Sequence, residues 1–256
     1  MVDATIASLT YLLYCIFLDF FTMRLDKFIS NSTVFTRSQT GKIIRKGDVS
    51  VNGSIIKKAA FKISAKDKVQ YLGIEINLPK MRYIMMNKPM DVVCSTADGQ
   101  HQTVLDLLFI AKRDNLHIAG RLDLDTTGLV LITDDGQWSH RITSPRHKQA
   151  KVYRVTLSER ISNEAIEQLE TGLRLKNETK DTLPAQVKRI DDKTILLTLR
   201  EGKYHQVKRM LVAVGHHVEQ LHRQQIGKII LDPHLKAGEW RELSEDEIQL
   251  YSFSDK

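Results

Sequence analysis

The chain has 256 residues, 42% hydrophobic and 27% charged, with 38 Lys and Arg against 31 Asp and Glu for a formal net charge of +7. This length holds one large domain, or one large and one small, and the composition is that of an ordinary soluble protein. Only two cysteines, Cys15 and Cys94, argue against a disulfide framework or a cysteine-based zinc site and fit a reducing cytoplasm.

Residues 1–22 open with an apolar run between Asp3 and Asp19. As a helix this run reaches roughly 22 Å, short of the ~30 Å hydrocarbon core. No Lys or Arg precedes it, as a secretory signal requires, and no clear cleavage site follows. Met23-Arg24-Leu25-Asp26 reads as a fresh start. Translation is therefore expected to begin at Met23, leaving 1–22 outside the fold, with a membrane-surface anchor as the alternative.

Residues 23–75 hold eleven Lys and Arg against four acids, an excess equal to that of the whole chain. A small basic module thus precedes a larger, nearly neutral one, and the excess suggests an anionic partner. Leu25, Phe28 and Ile29 recur at helical spacing, so RLDKFISN predicts a short amphipathic helix. TRSQTGKIIRKG predicts a second, with Thr36 as N-cap and Gly47 just past its end. DVSVNGSII predicts a hairpin turning at Asn52-Gly53, and AKDKVQYL a closing strand. Arg37, Lys42, Arg45 and Lys46 stay solvent-facing on the second helix, and Lys57 and Lys58 follow the hairpin turn. In an arbitrary helix such charges are a solvated face. Here they come from neighbouring elements of one small unit, which favours a phosphate-binding surface.

RLDKFIS…TRSQTGKIIRKGDVSVNG resembles the S4 RNA-binding domain, through Arg24-Leu25-Asp26, Arg37-Ser38 and Val51-Asn52-Gly53. The resemblance implies RNA contacts from Arg24, Arg37, Lys42, Arg45, Lys46 and Lys57. Gly41 departs from the alanine usual there, which costs roughly 1 kcal/mol in a helix interior.

A linker over 76–82 leads into a domain over 83–256. RYIMMNKPMDVVCS predicts a strand, a Lys-Pro turn and a second strand. TVLDLLF predicts a short helix, LHIAGRLD a strand, Gly128–Thr133 a buried strand, and Gly136–Ile142 a helix ended by Ser144-Pro145. KVYRVTL, AQVKRI and KTILLTLRE read as strands, SNEAIEQLETGL and KYHQVKRMLVAVG as helices. Strands near Val218–Leu221 and Ile226–Leu231 follow, and Ser244 with Glu247 makes a capping box for a last helix. Many strands with interspersed helices and no regular βαβ alternation predict an α+β fold with a mostly antiparallel mixed sheet and flanking helices.

The stretch AGRLDLDTTGLVLITDDG sets Arg121, Asp123 and Asp125 at alternate positions ahead of an apolar run. In an extended chain these three share one face. Three readings are open: a catalytic carboxylate, a metal ligand, or an ion pair with Arg121. Asp123, Asp125, Thr127, Gly128 and Asp134 imitate an EF-hand loop, but the last lacks the bidentate glutamate and Leu129–Ile132 is strand-like. A metal site of the sugar-transferase kind would be expected to have a phosphate-cradling Gly-rich loop beside it. An ion pair is the commonest fate of such a triplet, yet leaves the basic module unexplained. A carboxylate working on an RNA base needs a cation to hold it ionised, an aromatic ring and basic surfaces for phosphates. SPRHKQAKVYRVTL supplies Arg146, Lys148 and Lys151 around Tyr153, and REGKYHQVKRM supplies Lys203, Lys208 and Arg209. His216, His217 and His222 read as surface or RNA-contacting residues rather than metal ligands.

AGRLDLDTTGLVLITDDG, KVYRVTL, EGKYHQVKRML and LHRQQIG, in this order, resemble the pseudouridine synthases of the RsuA/RluB/RluF group, S4 module included. TDDGQWSHRITSPRHKQAKVYRV and EGKYHQVKRMLVAVG are most similar to the type that acts on small-subunit (16S) ribosomal RNA. The resemblance implies an isomerase that turns one uridine into pseudouridine with no cofactor and no metal. It implies Asp123 as the catalytic aspartate, attacking ribose or base or removing a ribose proton. Lys208 is its implied basic partner, where many relatives have arginine, and Tyr153 stacks on the uracil. Leu221 lies under the base, Arg121 fills the gap left by a flipped nucleotide, and Arg146, Lys151, Lys203 and Arg209 bind substrate. Asp125 is expected to hold Thr126, Thr127 or main-chain N–H groups. The implied partner is ribosomal RNA in a partly assembled small subunit, met by a cytoplasmic monomer away from any membrane. Rival readings are a large-subunit target and a non-catalytic RNA-binding assembly factor.

Overall fold

The computed structural model describes residues 22–64, 66–77, 80–110 and 112–252. The expectation for residues 1–21 lies outside the described residues. The chain divides into two compact units, Met1–Lys80 and Met81–Lys256.

In the first unit, β1 (Thr22–Arg24) pairs with β4 (Lys62–Ser64), Thr22 opposite Ser64. The fold therefore takes in Thr22, the last residue of the stretch expected to lie outside it. α1 (Leu25–Ser32) and α2 (Arg37–Lys46) match the two helices read from sequence. The Thr36 hydroxyl accepts from the Gln39 amide while the Gln39 side chain accepts from the Thr36 amide. Two donors that a helix start leaves open are thereby satisfied. Gly47 closes α2 at φ +91°, a conformation that costs glycine little. β2 (Val49–Val51) and β3 (Ser54–Ile55) form the hairpin, and Asn52 and Gly53 both take the positive φ that its turn requires. β5 (Val69–Tyr71) and β6 (Ile74–Ile76) extend it to the order β3-β2-β5-β6. Leu25, Ile29, Ile44, Val49, Val51, Ile63 and Val69 fill the core beneath.

The second unit is built on a nine-stranded sheet in the order β11-β12-β10-β13-β9-β7-β15, with β8 on β9 and β14 on β13. In chain order these are β7 (Tyr83–Lys88), β8 (His117–Ala119), β9 (Thr127–Thr133), β10 (Lys151–Leu157), β11 (Gln186–Arg189), β12 (Thr194–Leu199), β13 (Val218–Ile226), β14 (Ile229–Ile230) and β15 (Trp240–Glu242). The helices are α3 (Gly136–Thr143), α4 (Asn163–Thr171), α5 (Gln206–Ala213) and α6 (Glu245–Gln249). This is the α+β class expected.

Three details differ from the sequence reading. The second strand expected after Lys88 shrinks to one bridge, Val93 to Thr103. TVLDLLF is a run of turns, not a helix: the Asp106 carboxylate accepts from the Thr103 amide and hydroxyl and closes the segment on itself. The two C-terminal strands are one nine-residue strand, β13, with a two-residue return.

β9 explains the apolar run. Val130 and Ile132 join a cluster with Ile84, Met86 and Leu116 on one face. Leu129 and Leu131 join Met85, Trp138 and Ile142 on the other. A strand covered on both sides reads as continuous hydrophobic sequence rather than alternating. β9 also runs parallel to β13, His222 opposite Thr127 and Arg223 opposite Gly128, whereas the other strand pairs described are antiparallel. A Cβ at Gly128 would lie 2.3 Å from the Arg223 carbonyl oxygen, so the approach of the two strands needs glycine there.

Candidate active site

The aspartates stand on the loop between β8 and β9. Leu124 and Asp125 form a turn, so the extended run that would set Arg121, Asp123 and Asp125 on one face does not continue through Asp125. The Thr126 amide donates to the Asp123 carbonyl, folding residues 123–126 into a turn. Two buried cations pin the loop through its main chain, Lys88 at the turn and Arg223 on either side of it. Arg223, 1% exposed, donates to the carbonyls of Gly120 (2.7 Å), Arg121 (3.2 Å) and Leu129 (2.8 and 2.9 Å). Lys88, fully buried at the end of β7, donates to the carbonyls of Pro89 (2.9 Å), Leu124 (3.1 Å) and Thr126 (2.8 Å). Burial pulls the Lys88 ammonium pKa below its ordinary value; Cys94, Asp125 and Asp123 nearby oppose the shift. The Leu122 amide, finally, points to the Cys94 sulfur at 3.3 Å.

Held this way, the loop puts Asp123 at a cleft of about 550 Å³ between β10, β13 and the approach to α5. Its carboxylate is one-third exposed and lies 3.4 Å from Nε2 of His205. His205 precedes α5 with φ +46° and ψ +38°, a left-handed conformation uncommon outside glycine. Its ring is stacked against that of Tyr204, centroids 3.8 Å apart and planes 20° apart. Lys208, in the first turn of α5, pairs with Asp125 rather than Asp123. Its ammonium holds the Asp125 carboxyl below the usual range, against the opposing effect of burial. The floor of the cleft is Tyr153 on β10 with Leu221 and Arg223 on β13. Leu221 is opposite Val155 and Arg223 opposite Tyr153, so all share one face of the sheet.

The turn 201–206 is fixed by Gln206, which is buried, accepts from the Lys203 amide at 2.8 Å and donates to Glu201 at 2.7 Å. Lys151 is half-buried on the wall. Desolvation, then the neighbouring Arg223 charge, lowers its ammonium pKa, and Glu201 opposes them.

A family model described as RNA pseudouridylate synthase matches residues 82–213, and the S4 domain model matches 23–69. The chain belongs to the RNA pseudouridylate synthases. Its synthase unit catalyses conversion of uridine to pseudouridine in RNA, and its S4 domain is an RNA-binding module. The ribosomal small subunit pseudouridine synthase A of Vibrio parahaemolyticus (serotype O3:K6, strain RIMD 2210633) is 50% identical over 228 residues, covering 88% of this chain and 98% of that protein. The protein of the same name from Escherichia coli (strain K12) is 50% identical over 227 residues, with the same coverage. A crystal structure of a pseudouridylate synthase is similar at TM-score 0.65 and 44% identity, covering 89% of this chain and 98% of that one.

Within the synthase unit, Asp123, Arg121, Tyr153, Lys151, Lys203, Lys208 and Leu221 converge on the cleft, while Arg146 and Arg209 do not line it. Arg146 is exposed beyond α3. Arg209 turns to the 176–178 loop, donating to Glu178 (2.9 Å) and to the carbonyls of Tyr204 and Lys176. Glu178 also takes Lys203 at 3.3 Å, leaving that lysine on the wall with a carboxylate already beside it. Among the described residues the aspartates pair with His205 and Lys208, not with Arg121, which removes the ion-pair reading of the triplet. Asp125 likewise holds Lys208 instead of Thr126 or Thr127. His216 is buried, not a surface residue, and His222 is half-buried with Nδ1 2.8 Å from the Thr127 hydroxyl. The described residues hold no group of three metal-ligating side chains, and no described helix is long and apolar enough to cross a membrane.

Sequence reasoning missed Lys88, His205 and Arg223. Arg223 carried a usable signal, because it falls two residues after Leu221 on the core-facing parity of β13. A cation at such a position needs buried acceptors. His205 carried none: a left-handed residue ahead of a helix leaves no mark in the residue pattern.

In the S4 domain, Arg37, Lys42, Arg45, Lys46 and Lys57 are exposed. Arg24 is different: it gives both branches of its guanidinium to Asp26, at 3.0 and 2.6 Å. Lys46 stands 3.3 Å from Asp48.

Proposed function

We propose that this synthase modifies one uridine of small-subunit ribosomal RNA, with Asp123 as the reacting carboxylate. The observation that carries the reading is the position of Asp123, one-third exposed at a cleft floored by Tyr153 and Leu221 on a loop fixed by two buried cations. The half-identity to proteins named for the ribosomal small subunit supports the choice of RNA. In the isomerisation the N1–C1′ bond breaks, the uracil turns, and C5 joins C1′. The C5 proton leaves and N1 gains one, so no external reductant or oxidant is needed. Asp123 serves as an ionised group, attacking the ribose or base or taking a ribose proton. Tyr153 stacks on the uracil above Leu221. Lys208 contributes positive charge through Asp125, beside the reacting carboxylate rather than on it.

Arg121, exposed at the mouth, fills the stack when the nucleotide swings out, a movement that costs a few kcal/mol in a paired base and less in a loop. Lys151 and Lys203 face the sugar-phosphate chain. The S4 surface formed by Arg37, Lys42, Arg45, Lys46 and Lys57 holds flanking RNA through phosphates. The setting is the cytoplasm, with a monomer acting on a partly assembled small subunit.

The full chain is incubated with unmodified small-subunit RNA, naked and as a partly assembled particle, and pseudouridine is mapped by carbodiimide-blocked primer extension. One new stop is expected, surviving a chelator and vanishing with Asp123→Asn. RNA that binds without any stop on either substrate overturns the small-subunit assignment, and the same assay on large-subunit RNA then separates another target from an inactive binding factor.

A further inference from the structure

Tyr204 is unaccounted for by the chemistry above. It is 75% exposed, far more than a ring of its size on a folded surface needs to be, and it lines the rim of the cleft. One face lies on the His205 imidazole at 3.8 Å and 20°. That imidazole is set by a left-handed backbone and lies 3.4 Å from Asp123. The turn beneath is closed by Gln206 and by the Arg209 guanidinium, which donates to the Tyr204 carbonyl at 3.0 Å. The ring is thus backed on one side, fixed at its root and open on the other. Lys203 and Lys208 stand on either side of it in sequence, and both face the cleft.

A flat ring supported from behind and open in front is a stacking platform for a nucleobase, and stacking tolerates any base because each has a π-face. The uracil being isomerised sits deeper, against Tyr153, so the rim ring meets a different base. We propose that Tyr204, backed by His205, stacks on a nucleobase adjacent to the reacting uridine and holds the RNA chain in its splayed-out form. The proposal rests on the reading of Asp123 as the reacting carboxylate and adds a second base-binding position to it.

The strain at His205 fits this role. A left-handed non-glycine residue is strained and persists only where the surroundings fix it. Here it delivers one ring that touches both the platform and the carboxylate. Emptying the platform should therefore weaken RNA binding more than it slows the bound complex.

The test uses the full chain and a small-subunit RNA fragment containing the uridine mapped above, carrying 2-aminopurine at its 5′ or its 3′ neighbour. Binding to the Asp123→Asn protein, which holds RNA without turnover, should quench one of the two probes. The quench should be lost in the Asp123→Asn, Tyr204→Ala double variant. In the otherwise native protein, Tyr204→Ala should raise KM about tenfold with kcat changed less, in line with alanine substitution at base-stacking rings. Tyr204→Phe should recover most of that loss and Tyr204→Leu should not, because a leucine of similar bulk offers no π-face. An RNA with an abasic neighbour should make the native protein and Tyr204→Ala equal. Equal KM for native and Tyr204→Ala on intact RNA, with unchanged quenching at both neighbours, overturns the platform. Full turnover by Asp123→Asn instead overturns the reading beneath it, and the KM comparison at Tyr204 still reports on stacking.

Discussion

Helix α2 and the 120–126 loop are both short polar stretches next to basic residues, and they are held in opposite ways. α2 is closed by its own neighbours: Thr36 and Gln39, three residues apart, exchange hydrogen bonds at one end, and Gly47 turns the chain at the other. The loop is closed by side chains 36 and 103 residues away, Lys88 and Arg223, each donating to main-chain carbonyls. A segment held locally takes the shape its residues prefer. A segment held from afar can be kept in a shape its residues do not choose, which is what putting a partly exposed carboxylate over a cleft requires.

The comparison breaks or sharpens at three places. The largest effect is expected at Arg223→Leu. It removes the donor from the buried Leu129 carbonyl and from the Gly120 and Arg121 carbonyls at the cleft wall, at about 1–3 kcal/mol for a buried group left unmet and less for one that water can reach. The synthase unit should lose about 3 kcal/mol or more of unfolding free energy. Urea titration followed by tryptophan emission reads this directly, because both tryptophans, Trp138 and Trp240, lie in that unit. Loss of activity without loss of stability would mean the guanidinium acts on substrate rather than on the loop.

A smaller effect belongs to Asp26, whose carboxyl is held below the usual range chiefly by the hydrogen bond from Arg24, with burial opposing. A lowered folded value means the stabilisation is complete above the unfolded pKa of about 4 and disappears as pH falls through the folded value. Arg24 is half in solvent, so screening keeps the effect below that of Arg223. Amide exchange in α1 and α2 should show Asp26→Asn less protected than the native chain at neutral pH and equal to it at strongly acid pH. A difference that persists in acid would assign Asp26 a role of shape, not charge.

The smallest effect, and of opposite sign, is at Gly41. An added Cβ would find nothing closer than Arg45 Nη1 at 3.5 Å, ordinary contact. Gly41→Ala should stabilise α2 by up to about 1 kcal/mol. Protection should rise in α2 and leave the synthase unit unchanged, as a locally held element demands.

The same contrast explains what could be read in the sequence. The S4 helices, their caps and the Asn52-Gly53 turn follow from rules spanning three or four residues. So do β10, α4 and the α6 capping box. The membership of the cleft was legible as residue types for Asp123, Tyr153 and the lysines, and through the family resemblance alone for Leu221; all of them reach it. Their pairing was not, because Lys208 meets Asp125 only once the loop folds into a turn, and that turn is imposed by Lys88 and Arg223 across the sheet. The alternation of Arg121, Asp123 and Asp125 pointed to a strand for the same reason. Local pattern contains nothing of a guanidinium a hundred residues later.

The parallel seam between β9 and β13 also sets an order of events during synthesis. Contacts between distant residues form late, after the chain between them has closed its loop. The S4 helices and hairpin are complete once residue 76 has emerged, whereas the aspartate loop lacks the second of its two anchors until residue 223 has left the ribosome. A nascent chain of this synthase carries its RNA-binding module well before its cleft can take shape. An unfinished copy can hold on to RNA but has nothing with which to alter it.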